Sequence, residues 1–144
     1  MKQASLFDND AASHLAGLVP AIRAAMHRAA GTDDDGRKLL VDKINAVAAS
    51  AGVRLTAGNA KAISKDTLDK WLSPSDRDHT PSLLAVAAFV QATGNVEPLR
   101  VLLRGAGLDV MTDEDKRLRD YGKACVHEKQ ARKRKRRLEE DING

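Results

Sequence analysis

Ser64-Lys65-Asp66-Thr67-Leu68-Asp69-Lys70-Trp71-Leu72 is the stretch whose residue types and spacing fit recognition chemistry. Ser64 can cap a helix by accepting from a free backbone N–H. Leu68, Trp71 and Leu72 then fall at i, i+3 and i+4 on one face. Asp66 and Lys70 fall on the opposite face, with Thr67 and Asp69 on its flanks. Ser64, Lys65 and Thr67 stand at the helix start, and Lys70 lies one turn on. Hydroxyl and ammonium groups so placed can donate to phosphate oxygens and to acceptors on base edges. That is the chemistry of a short helix entering the major groove of double-stranded DNA by its amino-terminal end. Asp66 and Asp69 oppose a polyanion unless one accepts from a cytosine amino group. Trp71 can stack on a base, but the face it shares with Leu68 and Leu72 assigns it to the core. Arg54 and Lys61 before this helix, and Arg77, His79 and Thr80 after it, are further candidates for phosphate contacts.

Other chemistries find less support. No Gly-rich phosphate loop, Ser/His/Asp order or paired-carboxylate cleft stands out, so the expectation is a non-enzymatic protein without a cofactor. His14, His27, His79 and Cys125 are scattered, and Cys125-Val126-His127 alone falls short of the three or four ligands of a zinc site. Thr32-Asp33-Asp34-Asp35 lacks the alternating ligands and closing Glu of an EF-hand loop. It reads instead as a helix start, with side-chain oxygens for capping and negative charge for the helix dipole. Gln3-Ala4-Ser5-Leu6-Phe7 is similar to the Gln-x-x-Leu-Phe peptide by which some replication proteins bind the bacterial sliding clamp, which makes the clamp a candidate partner.

The elements that must position the recognition stretch are helical. Among 144 residues, enough for one domain with a core, the apolar ones are mainly Ala, Leu and Val. The aromatics are only Phe7, Trp71, Phe89 and Tyr121, so strand-favouring residues are scarce and the composition predicts an all-α fold. After a loose leader over 1–11, Pro20 suits a first helical turn, Ile22, Ala25, Met26 and Ala29 follow at helical spacing, and Gly31 stops the run. A second helix is expected over 36–51, with Leu40, Ile44, Val47 and Ala51 as its stripe and Leu39 and Ala48 beside it. Residues 53–63 read either as two very short strands around Gly58-Asn59 or as an irregular loop. Thr80-Pro81 predicts a cap and first position for a helix buried through Leu83, Val86, Ala87 and Val90, with Phe89 beside them. Pro98 opens a short helix through Leu99, Leu102 and Leu103. Thr112 caps a long final one to about Glu140, with Leu118, Tyr121 and Cys125 as an apolar seam.

In this frame 36–51 braces and 64–72 reads, a helix-turn-helix. The block from Ser64 to Pro74, followed by Asp78-His79-Thr80-Pro81-Ser82-Leu83-Leu84-Ala85-Val86, resembles regulators of phage and prophage clusters. Their helix-turn-helix is related to lambda-repressor-like domains. Leu40-Val41-Asp42-Lys43-Ile44-Asn45 resembles the helix before their Leu-x-Lys-Trp element, and Ala92-Thr93-Gly94-Asn95-Val96-Glu97-Pro98-Leu99 the segment after it. The resemblance covers about residues 20–110. It implies a lambda-repressor-like helical bundle and a sequence-specific transcriptional regulator. With the residue reading above, the expected organisation is a helical DNA-binding domain over 12–111 and a long charged C-terminal helix over 112–144. The eleven-residue link 53–63 departs from the usual turn of three or four residues.

Charge supports a polyanionic partner. Of the net +4, residues 1–112 hold +1 and residues 113–144 hold +3. The run Arg132-Lys133-Arg134-Lys135-Arg136-Arg137 is either a phosphate grip or a solvated helix end. A single Cys, no membrane-spanning apolar run and no signal-peptide pattern place the expected protein in the cytoplasm. Two-fold operators and the small affinity of one reader helix point to a homo-oligomer, with the final helix as the self-association element. The alternative is a helical protein-interaction adaptor, or an antitoxin-like protein, that uses its charged tail.

Overall fold

The computed structural model describes residues 15–144, so the leader and the clamp-like Gln3–Phe7 peptide lie outside the described residues. Among the described residues the fold is all-α, with six helices and no strand. They are α1 Leu18–Ala30, α2 Asp34–Ala51, α3 Lys65–Leu72, α4 Leu83–Thr93, α5 Glu97–Gly105 and α6 Asp113–Asn143. The chain forms two compact units. The first ends at Val110 and holds α1 to α5; the second is Met111–Gly144 and holds α6.

Local chemistry sets the helix ends. The Asp33 carboxylate accepts from the Gly36 N–H at 2.8 Å, and Asp34 and Asp35 follow in the positive first turn of α2. Gly52 closes α2 at φ +66°, a left-handed conformation that glycine adopts without a side-chain penalty. Ser64 Oγ accepts from the Thr67 N–H and starts α3. The cap of α4 is Ser82 and not Thr80, because Ser82 is extended and its Oγ accepts from the Ala85 N–H at 3.1 Å. Pro81 therefore precedes the helix instead of opening it. Thr112 and Asp115 exchange side-chain-to-backbone bonds in a capping box at the start of α6.

The core of the first unit joins Ile22 and Met26 of α1, Leu40, Val41, Ile44 and Ala48 of α2, and Leu68, Trp71 and Leu72 of α3. Ala85, Val86, Ala88 and Phe89 of α4 complete it. α1 packs on α5, α2 on α4, and α3 against both α1 and α2. Two expected stripes are rotated from their sequence reading. In α2, Val41 is buried while Leu39 and Ala51 face solvent, because α3 and α4 cover adjoining sides of that helix. In α4, Leu83 and Ala87 are exposed and Ala85, Ala88 and Phe89 are buried. That helix is apolar nearly all round, so periodicity does not single out its inner face.

The link 53–63 is an irregular loop, fastened at both ends. Leu55 and Ile63 are buried. The Asn45 side-chain amide donates to the Ile63 carbonyl at 3.0 Å and accepts from the Ile63 N–H at 2.9 Å, as a neighbouring strand would.

One charged side chain is enclosed by this core. Arg23 of α1 is 2% exposed. Its Nε donates to the Trp71 carbonyl at 2.8 Å, Nη1 to the Asp76 carbonyl, and Nη2 to the carbonyls of Lys70 and His79. Burial pulls its pKa down, and the Asp76 carboxylate acts in the opposite direction. The guanidinium thereby supplies donors to the last turn of α3 and to the turn that follows. Arg23→Met keeps the apolar stem and removes these donors. We expect it to lower the urea unfolding midpoint by the equivalent of about 2 kcal/mol or more, with Arg23→Lys intermediate. An unchanged midpoint for Arg23→Met would contradict this role.

Candidate nucleic-acid interface

α3 is an eight-residue helix with its apolar side fully enclosed: Leu68, Trp71 and Leu72 are all buried. Trp71 is a core residue. The opposite side stays open, with the Asp66 side chain 76% exposed. Ser64 is exposed, and its hydroxyl lies 3.2 Å from that of Thr67, so the two pair at the amino-terminal end.

Both lysines of α3 are already partnered. Lys65 Nζ bridges Asp34 of α2 at 2.7 Å and Asp69 at 3.0 Å, and Arg37 of α2 reaches Asp69 at 2.8 Å. Lys70 pairs with Asp66 at 3.0 Å. Hydrogen bonds from Lys65 and Lys38 hold the Asp34 carboxyl below the ordinary range, and the partner carboxylates hold the Lys65 ammonium above its own. For Asp69, burial pushes the pKa up, but the bonds from Lys65 and Arg37 outweigh it and the net shift is downward. Asp34, Arg37, Lys65 and Asp69 therefore form one ionic network joining the starts of α2 and α3, and Lys70–Asp66 is a separate pair on the open side of α3.

The flanks of α3 differ. Arg54 and Lys61 are exposed on the link, and Arg77 is exposed on the turn after α3. Among the described residues, none of the three has an ion-pair partner. The turn itself is tightly organised. One Asp76 oxygen accepts from the N–H groups of Asp78 and His79, and the His79 ring nitrogen Nδ1 lies 3.0 Å from it. These bonds, led by the one to the imidazole, hold Asp76 below the ordinary carboxylate range. Thr80, next to His79, also lines an apolar groove with Leu18, Val19, Arg23, Pro81, Leu83 and Leu102. The nine candidates thus fall into an α3 set (Ser64, Lys65, Thr67, Lys70) and a flanking set (Arg54, Lys61, Arg77, His79, Thr80).

Comparison with protein-family models, curated proteins and solved structures finds no match. The geometry alone therefore describes this surface. Three residues outside the sequence reading of the site organise it: Arg23, Arg37 and Asn45. A basic residue at Arg23 within the apolar spacing of Ile22, Ala25 and Met26 is the one signal that pointed to a buried charge. Among the described residues, no group of three or more His, Cys, Asp or Glu is arranged to hold a metal ion, and no helix is long and apolar enough to cross a membrane.

The network has a pH signature. Asp34, Asp69 and Asp76 all have folded pKa values below the ordinary one. Their contribution to stability is therefore present above about pH 4 and is lost as pH falls through the depressed values. Urea midpoints measured between neutrality and acid should fall in that window. Asp69→Asn should flatten the fall, and an identical acid profile for this variant would exclude the network as its source.

Proposed function

We propose that the chain is a sequence-specific double-stranded-DNA-binding regulator of phage or prophage type, acting in the cytoplasm as a homo-oligomer and catalysing no reaction. The observation that carries the reading is the fixed presentation of α3. Its apolar side is locked into the core and its carboxyl-terminal turn is tied down by Arg23, while its polar side stays open. A rigidly held short helix, braced by another helix, is what major-groove reading requires. Arg54 and Lys61 before α3 in the chain and Arg77 after it, without ion-pair partners among the described residues, supply cations for phosphates in this reading.

In this reading α3 contributes hydrogen bonding more than net charge. Ser64 and Thr67 offer hydroxyls at the helix start, and Lys65 and Lys70 exchange a carboxylate for a DNA acceptor as they dock. That exchange costs affinity but not register, because the flanking cations carry the electrostatic attraction.

The same pairing of Lys65 and Lys70, which occupies the charges α3 would offer to DNA, favours the second reading, a helical protein-interaction adaptor that uses its charged tail. Selection of bound sequences from a random duplex pool separates the two. DNA reading predicts an enriched motif. Lys61→Glu with Arg77→Glu should then weaken binding to it at least about tenfold at moderate salt. Thr67→Ala should relax the choice of base at one position. A pool that enriches no motif sinks the DNA-reading proposal and leaves the adaptor.

A further inference from the structure

The second unit carries a feature that the α3 reading does not use. α6 is one continuous helix from Asp113 to Asn143, and none of its residues is buried. Within it, 129–137 holds seven basic residues in nine and no acidic one. Glu128 and Glu139 flank the stretch and pair with Arg132 at 2.7 Å and Lys135 at 4.0 Å. Lys129, Lys133, Arg134, Arg136 and Arg137 have no ion-pair partner among the described residues.

We propose that 129–137 of α6 is a phosphate-binding segment that lies in the major groove of B-form DNA and grips both backbones without reading sequence. Shape and charge density both match a duplex. Successive residues advance roughly 100° around an α-helix, so these seven cations occupy almost the whole circumference. A helix meeting a flat anionic surface needs cations on one side only. A helix between two phosphate walls needs them on both. An α-helix about 10–12 Å across fits a B-DNA major groove about 12 Å wide. Nine residues rise about 13 Å, and duplex DNA presents one negative charge per roughly 1.7 Å, so cations and phosphates match nearly one to one.

The alternatives lack the features they need. Ala131 is the one apolar residue between Val126 and Leu138, so the segment has no apolar face to insert into a lipid interface. It has no a/d seam for a coiled coil. The deep, narrow major groove of A-form RNA does not admit such a helix. Lys129, Lys133 and Arg137 repel one another at successive i, i+4 positions, as do Arg132 and Arg136. Neutralisation by phosphates removes that repulsion.

The inference does not rest on α3 and is tested separately. The full chain is titrated with a duplex of arbitrary sequence across salt, beside the variant carrying K133Q, R134Q, R136Q and R137Q. Glutamine preserves helix propensity, the changed side chains are all exposed, and like-charge repulsion is relieved, so the free variant should show at least the helix content of the wild type by circular dichroism. With all four cations on phosphates, the slope of log affinity against log salt should fall by about 3–4. The loss should be equal on unrelated sequences. An unchanged salt slope overturns the proposal. So does an equal loss on double-stranded RNA, which would make the contact groove-independent, or a preference of the wild-type chain for anionic phosphatidylserine vesicles over DNA. A chain that binds duplex this way yet enriches no motif upholds this segment and ends the α3 reading.

Discussion

A single guanidinium holds together parts of the chain that are far apart in sequence. Arg23 sits in α1, and its acceptors lie 47 to 56 residues downstream. All of them are backbone carbonyls: two in the last turn of α3 and two in the turn beyond it. The end of a short helix leaves carbonyls without intrahelical partners, and burying them unpaired is costly. One planar side chain with five N–H donors meets several of them at once. The position of α3, and with it the geometry of any surface built on it, is therefore set from α1 as much as from its own neighbour α2.

The two units distribute charge in opposite ways. On the first, the lysines of α3 are matched by carboxylates from the same chain, and Asp34, Arg37, Lys65 and Asp69 form one network, while Arg54, Lys61 and Arg77 outside α3 stay unmatched. The face of α3 itself is thus shaped and nearly neutral. On α6 the basic residues outnumber nearby acids, and most remain unmatched. Shape without net charge suits discrimination, whereas charge without burial suits attraction at a distance. The chain places these two properties on separate elements.

Much of the helical scaffold was legible from residue types. The helix start within Thr32–Asp35, the caps Ser64 and Thr112, the stop at Gly31, and the burial of Leu68, Trp71 and Leu72 follow from local rules. What escaped those rules shares a physical cause. The acceptors of Arg23 are carbonyls, which every residue possesses, so no side-chain pattern announces them. The partner of Lys65 on α2, Asp34, is brought near only by folding, and a lysine at a helix start reads as free until that contact exists. Thr80-Pro81 satisfied the sequence rule for a helix start, but Ser82 offered a nearer hydroxyl and took the role. For α4 the failure was one of excess, since a helix with apolar residues on every side carries no directional information.

The tie between Asn45 and Ile63 bears on how this chain can vary. With Leu55 buried at one end and Ile63 held at the other, the intervening residues form a surface excursion with both feet planted. The entropy of closing such an excursion grows only logarithmically, so doubling its length costs about 0.6 kcal/mol. Insertions or deletions around Gly58 are thus nearly free for the rest of the molecule, provided Asn45 keeps its amide. The stretch that departs most from a compact turn is the one where evolution could rewrite length at little risk.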